Sequence, residues 1–220
     1  MQAKAKVARI LLVDDHPIVR RGLADLIEEE RDMEVCGQAR SADEARRAVR
    51  QLQPDLAVVD LSLGDDSGLE LLKDIQTIDE SVKLLVVSIH DESIYAERVL
   101  KAGALGYVNK RAAEEHLVDA VRRVLKGNIY LEAQIADRML RQMMNGAEEP
   151  GHDPHDRLSD REMEVYRLLG EGVSTRQIAE RLHLSVKTIE SYREHIKTKL
   201  NLRDSSEMIR HAVQWVLEQR

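Results

Sequence analysis

RILLVDDHP, residues 9–17, decides how the chain is read. Four apolar residues, Ile10 to Val13, run straight into two adjacent carboxylates, Asp14 and Asp15. A short apolar run of this kind predicts a buried strand. A carboxylate buried without a partner is costly. Two acids at the tip of a core strand therefore need a reason, and the reason lies elsewhere in the chain.

Apolar runs recur at Arg9–Val13, Glu34–Ala39, Asp55–Val59, Lys83–Val87 and Leu105–Val108. Stretches of helical period separate them, near residues 17–30, 42–52, 67–76, 93–102 and 112–126. The second of these opens with Ser41 and Glu44 at capping-box spacing. Repeated strand–helix alternation predicts an α/β fold, a doubly wound five-stranded parallel sheet with helices on both faces and right-handed crossovers. Residues 132–145 carry Ile135, Met139 and Met143 at near-helical spacing and predict one more helix. GAEEPGHDPHD, residues 146–156, is rich in Gly, Pro and charge and predicts a flexible linker. His152 and His155 with Asp153 and Asp156 have metal-ligand character, but in this composition they read as solvated linker. Beyond them the pattern is purely helical, with capping boxes at Ser159/Glu162 and Ser174/Gln177, an N-cap at Ser185, and a last helix starting at Asp204 or Ser205. The expected domains are 1–127, a linker helix and flexible linker over 128–156, and a small all-α domain over 157–220.

Composition agrees with two small globular domains. The chain has 220 residues, 43% apolar and 33% charged. No apolar run approaches the roughly 18 residues of a membrane span, and the N-terminal apolar stretch ends in acids, unlike a signal peptide. Cys36 is the only cysteine, which rules out internal disulfides and fits a reducing cytoplasm. The net charge of −7 is unevenly spread. Leu158–Arg220 holds 11 basic and 10 acidic residues, and Ser185–Arg203 holds five basic to two acidic. The C-terminal third is locally basic on an acidic protein.

In a doubly wound sheet, ligands bind beyond the carboxyl ends of the strands. Here those ends carry Asp14 and Asp15, Asp60 (LAVVD), Ser88 (LLVVS) and, near the fifth, Lys110 (GYVNK). One Asp after a strand is often a cap or turn residue. Complementary groups on four strand ends out of five are harder to explain that way. Three carboxylates in one pocket repel, so either some protonate or a cation neutralises them. An all-oxygen ligand set suits a hard cation, most naturally Mg2+. Lys110 offers a point charge for a phosphate and Ser88 a hydroxyl for a phosphoryl oxygen. Together these groups compose an aspartyl-phosphate site.

VDDHPIVRRGL, VVDLSL…DSGLELL, VVSIHDE and KAGALGYVNK resemble, in order and spacing, a bacterial response-regulator receiver over residues 8–127. The resemblance implies the flavodoxin-like strand order 2-1-3-4-5. It implies that Asp60 is the phospho-acceptor and that Asp14, Asp15, Asp60 and the Ser62 backbone carbonyl hold Mg2+. It implies that Lys110 pairs with the phosphoryl group, and that Ser88 and Tyr107 form a switch pair, Tyr107 rotating inward once Ser88 has moved. Two departures stand out. Gly64 occupies a position where receivers usually have Pro and should loosen the loop after Asp60. Arg111, rather than Pro, follows Lys110. Ser62 and His90 are expected to border the path of attacking water, unless His90 is an ordinary exposed residue.

Residues 158–220 contain an apolar face at Ile178, Ala179 and Leu182, a connection His183–Leu184–Ser185, and a second apolar face at Ile189, Ile196 and Leu200. Two short helices with a tight turn make a helix-turn-helix. LSDRE, GVSTRQIAERL and VKTIESYREHIKTKL further resemble the LuxR-type DNA-binding domain of NarL/FixJ response regulators. Arg176, Ser185, Lys187, Thr188, Tyr192, Arg193 and Lys197 are then candidates for DNA phosphate contacts. Glu190, Ser191 and Glu194 align with positions that face base edges, where a Glu accepts from cytosine N4. A charge of +1 implies weak binding by one copy, strengthened when two copies share a two-fold site. The last helix carries an apolar stripe at Ile209, Ala212, Val213 and Val216, and the resemblance makes it the dimer contact. The expected protein is a cytoplasmic transcription regulator rather than an enzyme. Its expected partners are a sensor histidine kinase, double-stranded DNA, a second copy of itself and RNA polymerase. Three rivals stand beside this reading. An orphan regulator of the same architecture would work without phosphorylation, and the complete site chemistry argues against it. An aspartyl-phosphate phosphatase would place a DxD pair in one loop beneath a cap domain. A flavodoxin-like cofactor binder would need a phosphate-cradling loop and aromatics.

Overall fold

The computed structural model describes residues 7–64, 66–90, 92–144, 154–182 and 184–218. The chain divides into two compact units, residues 1–146 and 147–220.

The first unit begins as the apolar runs require. β1 (Ala8–Val13) buries Ile10 to Val13 almost completely. α1 (Pro17–Glu28) follows, with proline at its first position, where no amide donor is needed. β2 (Met33–Ala39), α2 (Ala42–Leu52) and β3 (Leu56–Val59) continue the alternation. The Ser41 hydroxyl caps α2 by accepting from the Glu44 amide. The Glu44 carboxylate accepts from the Arg40 amide instead of closing a box on Ser41. A two-stranded antiparallel ribbon, β4 (Ser62–Leu63) and β5 (Asp66–Ser67), comes next, then α3 (Gly68–Ile78). β6 (Lys83–Ser88), α4 (Glu92–Lys101), β7 (Gly106–Asn109), a 3-10 turn (Lys110–Ala112), α5 (Ala113–Leu125) and α6 (Ala133–Met144) complete the unit.

The five-stranded sheet runs β2-β1-β3-β6-β7 with every pairing parallel. Without the ribbon this is the order 2-1-3-4-5. Val13 lies beside Val59 and Val59 beside Val86, while Ser88 lies beside Asn109. The register therefore brings Asp14, Asp60, Ser88 and Lys110 to one edge. The expected looseness after Asp60 is corrected. Gly64 takes φ +60 at the ribbon turn, and its amide donates to the Asp15 carboxylate at 3.0 Å. Its freedom serves a left-handed turn that is pinned to the acidic cluster.

The second unit is all helical. A 3-10 turn (Pro154–Arg157) precedes α7 (Asp160–Gly170), α8 (Thr175–Arg181), α9 (Val186–Lys199) and α10 (Ser205–Glu218). The capping boxes at Ser159/Glu162 and Ser174/Gln177 are both formed, and Ser185 caps α9. Asp204 caps α10, accepting from the Glu207 amide at 2.8 Å. Of the expected linker, residues 146–153 lie outside the described residues, and so do His152 and Asp153. His155 differs from the solvated reading. It is buried, with its ring 5.2 Å from that of Tyr166 and 5.4 Å from that of Trp215. Leu200 is only half-buried, because α9 ends there.

Helix α7 crosses α10 at Gly170. A Cβ there would stand 2.4 Å from the Ala212 carbonyl oxygen. Backbone cannot yield as a side chain does, so Gly170→Ala should cost about 2 kcal/mol through overpacking. A thermal melt of the C-terminal unit should show a fall of about 10 °C. An unchanged melt would mean that the helices do not meet this closely.

Candidate functional site

Asp14 and Asp60 end neighbouring strands and are almost fully buried. The Lys110 ammonium lies between them, 2.6 Å from Asp14 Oδ2 and 2.7 Å from Asp60 Oδ2. Its side chain is 8% exposed. Asp15 is half-exposed, and its Oδ1 lies 2.7 Å from His16 Nδ1. One ligand atom each from Asp14, Asp15, His16 and Asp60 falls within 4.8 Å of the others. Burial, reinforced by the Asp14 charge, pushes the Asp60 carboxyl above its ordinary value despite the opposing Lys110 ammonium. Burial works against the Lys110 charge too, but the two carboxylates outweigh it and hold the amine above its ordinary value.

Asp60 Oδ1 is buried and accepts no hydrogen bond. A buried carboxylate oxygen left bare in this way fits a cation ligand. The net charge of the cluster points the same way, since Lys110 offsets only one of three aspartates. The donors are mainly carboxylate oxygens, which fits Mg2+.

Ser88 is fully buried at the end of β6. Its hydroxyl faces the Tyr107 phenol and lies 3.5 Å from the His90 amide. Tyr107 differs from the expected outward start. It is already inside, with its hydroxyl donating to the His90 carbonyl at 3.0 Å. Burial pushes the phenol far above its ordinary value, so it stays a donor. The Asn109 amide donates to the same carbonyl at 3.1 Å. His90 is buried, not an ordinary surface residue. Its Nε2 shares a 2.8 Å hydrogen bond with the Ser62 hydroxyl, and its ring lies 4.8 Å from that of Tyr95. Ser62 thus turns its side chain to His90. Sequence reasoning missed His16 and Asn109. His16 stood in plain view after the acid pair, and Asn109 had no signal beyond its place before Lys110.

In the second unit, α8 and α9 form the expected helix-turn-helix. Ile178, Ala179, Ile189 and Ile196 are buried, and Leu182 is half-buried. Ser185, Lys187, Glu190, Ser191 and Glu194 are exposed on the outer side of α9. Thr188 and Tyr192 are half-buried. Ser185 and Thr188 bond each other at 2.8 Å in the cap. Arg193 is drawn towards α8, donating to Thr175 Oγ1 at 2.6 Å, and also reaches Glu190 at 3.3 Å. Lys197 pairs with Glu194 at 2.8 Å and Arg176, exposed on α8, with Glu180 at 3.3 Å. Arg176, Arg193 and Lys197, expected to meet phosphates, are thus each paired with a carboxylate on their own helix. On α10, Ala212 is buried, Val216 is half-buried, and Ile209 and Val213 remain exposed beside Leu217.

Glu162 anchors α9 to α7. It accepts from the Lys199 ammonium at 2.6 Å and the Ser159 amide at 2.7 Å, and its Oε1 lies 3.5 Å from His195. Burial alone would raise its carboxyl, but these donors outweigh it and hold the group below the ordinary Glu value. A lowered folded-state value gives stability above the unfolded value, lost as pH falls through the folded one. The C-terminal unit should therefore lose stability below about pH 4.5, and Glu162→Gln should flatten that acid limb in melts across pH. An acid limb unchanged in the variant would remove Glu162 from the account.

A buried Asp60 beside a second aspartate and a lysine, on a five-stranded doubly wound sheet, followed by a helix-turn-helix unit, defines a class of two-domain response regulator. Residues 10–122 match the response regulator receiver domain, and residues 156–212 match the bacterial regulatory proteins of the luxR family. The chain belongs to the two-component response regulators with a receiver and a LuxR-type DNA-binding domain. The oxygen regulatory protein NreC of Staphylococcus carnosus is 35% identical over 209 residues, covering 93% of this chain and 96% of the relative. A LuxR-family response regulator from Aurantimonas sp. SI85-9A1 is 37% identical, with a TM-score of 0.59, over 63% of this chain and 99% of that one. RcsB of Salmonella enterica serovar Typhimurium, in a structure bound to the promoter rprA with a phosphomimetic, is 26% identical, with a TM-score of 0.58, over 94% of this chain and 98% of that one. Among the described residues, no helix is long and apolar enough to cross a membrane.

Proposed function

We propose that Asp60 accepts a phosphoryl group from a sensor histidine kinase, and that this switches the protein into a dimer that binds operator DNA and regulates transcription. The observation that carries the reading is the buried Asp60 carboxylate with one oxygen on Lys110 and the other bare. The Asp60 carboxylate is the nucleophile. It attacks phosphorus as the bond from phosphorus to the donor imidazole nitrogen breaks, and the imidazole leaves and takes a proton. Bound Mg2+ would supply charge neutralisation for the phosphoryl oxygens. Asp14, Asp15, Asp60 and the Ser62 carbonyl are the residues we assign to hold it, with His16 at the rim. Lys110 then pairs with the phosphoryl group, and the Ser88 hydroxyl turns to a phosphoryl oxygen.

That turn takes the Ser88 hydroxyl away from Tyr107 and His90. A local electrostatic change thereby biases the arrangement of α4 and β7. Because Tyr107 already lies inside, we assign the switch to its partners rather than to an inward swing. For DNA, we assign α9 to the major groove, with Lys187 and Ser185 towards phosphates and Glu190, Ser191 and Glu194 towards base edges. Arg176, Arg193 and Lys197 must exchange their carboxylate partners for phosphates. This is consistent with weak binding by one copy. The exposed part of the α10 stripe, Ile209 and Val213, is assigned to the dimer contact. RNA polymerase is the partner expected at a promoter. The protein acts as a regulator, not as an enzyme on a separate substrate.

The test is intact-mass measurement after incubation with acetyl phosphate and Mg2+, with sedimentation of the same sample. A phosphoryl adduct and a shift to dimer are expected. An adduct without dimer would overturn the assembly step, and no adduct despite Mg2+ binding would overturn acceptance of the group from small donors.

A further inference from the structure

The chain does not leave the first unit at the end of α5. It turns back and lies along the exposed edge of the sheet. Tyr130 forms a parallel bridge with Gly106 of β7. The Tyr130 amide donates to the Leu105 carbonyl and the Tyr107 amide donates to the Tyr130 carbonyl, both at 2.9 Å. The absence of a side chain at Gly106 allows this. A Cβ there would stand 3.0 Å from the Tyr130 oxygen and from Leu85 Cδ1, and 3.1 Å from the Tyr130 Cβ. Arg123 lies over the Tyr130 ring at 5.5 Å. Three residues after Tyr130 α6 begins, and the Glu92 carboxylate at the start of α4 accepts from the Glu132 amide at 2.7 Å. Glu92 is buried, and α6 packs on α4.

Both anchors of this segment belong to the machinery next to Asp60. Tyr107 binds the segment with its backbone and the His90 carbonyl with its phenol. His90 lies two residues after Ser88 and two before Glu92, so the short stretch that feels Ser88 also carries the acid that caps α6. Ser88 itself touches both Tyr107 and the His90 amide.

We propose that Ile129–Met144 is a strap over the α4–β7 face whose docking is coupled to the state of Asp60, and that phosphorylation releases it. When the Ser88 hydroxyl turns to the phosphoryl group, His90 and Tyr107 lose a shared partner, and the Glu92 cap and the Tyr130 bridge loosen together. An edge strand covered by the chain's own backbone is closed to other strands. Release opens β7 and frees the helix that leads on to the DNA-binding unit. The inference rests on the phospho-acceptor reading of Asp60.

The experiment is hydrogen exchange on the full chain, with and without acetyl phosphate and Mg2+, with intact mass read on each sample. Phosphorylation should speed exchange of the Tyr130 and Glu132 amides and of α6 by roughly tenfold or more, within the usual range of coupling between sites. Glu92→Ala and Gly106→Ala should each give the same release without a phosphoryl group. By reciprocity each should tighten binding of beryllofluoride, used with Mg2+ as phosphoryl mimic, by a similar factor. Full adduct with unchanged or slower exchange in this segment overturns the strap while leaving the phospho-acceptor reading intact. Released variants with unchanged beryllofluoride affinity overturn the coupling. Absence of both adduct and beryllofluoride binding overturns the phospho-acceptor reading itself, and the strap with it.

Discussion

Asp60→Ala should take up no phosphoryl group from acetyl phosphate or from a histidine kinase, a complete loss, while keeping its fold. The chemistry of the first half of this expectation is direct. Asp60 Oδ1 is the one strand-end carboxylate oxygen in the cluster with neither a hydrogen bond nor an ion pair. Asp14 is committed to Lys110 and to the His16 amide, and Asp15 to Gly64 and His16. No neighbour is placed to replace it. The second half follows from the sign of the Asp60 shift. Burial raises its carboxyl above the ordinary value. An acid whose folded value is raised costs stability at every pH above its unfolded value. Removing it should therefore leave the melting temperature at neutral pH unchanged or slightly higher, and Lys110 still has Asp14 at 2.6 Å. Intact mass and a thermal melt on one sample check both halves. An adduct retained in the variant would move the acceptor to Asp14 or Asp15.

What the sequence made legible was whatever depends on one residue at a strand end. Five apolar runs, each closed by a turn, carry the sheet. Parallel register then forces Asp14, Asp60, Ser88 and Lys110 together with no further information. The capping boxes at Ser159 and Ser174 were equally local. What stayed hidden depends on tertiary contact. The pairing of His90 with Ser62 joins the ends of two strands, and nothing in either dipeptide announces it. His155 sits in a stretch of Gly, Pro and charge, and only the aromatic surface of Tyr166 and Trp215 makes it a core residue. Tyr107 was expected to start outside because the motif carries no record of the His90 carbonyl that holds its hydroxyl. Gly64 was misread for the opposite reason. A glycine in isolation signals freedom, but here its positive φ lets the amide meet Asp15. The return of Tyr130 to β7 was invisible because a backbone bridge leaves no side-chain signature.

Lys110→Ala should separate two roles that share one ammonium. In the wild type that ammonium is the cation between Asp14 and Asp60. Its loss leaves two buried carboxylates facing each other. Breaking a buried pair from one side costs about 3 kcal/mol, so the receiver without metal should melt about 10 °C lower. Mg2+ binding should survive. Lys110 repels an incoming divalent ion, and its removal leaves every proposed ligand in place, so affinity should hold or rise. Titrated Mg2+ should then recover most of the lost melting temperature, because a ligand that binds only the folded state stabilises it by mass action. Signalling should not recover. The phosphoryl oxygens would lack their lysine partner, and beryllofluoride should bind at least tenfold more weakly, about 1.4 kcal/mol. Lys110→Met keeps the aliphatic stem and guards against a packing artefact. Calorimetric Mg2+ titration of both variants decides the matter. Weakened Mg2+ binding in both would mean that Lys110 holds the aspartates in their binding geometry, and that the ammonium and the metal act as neighbours instead of competing for the same charge.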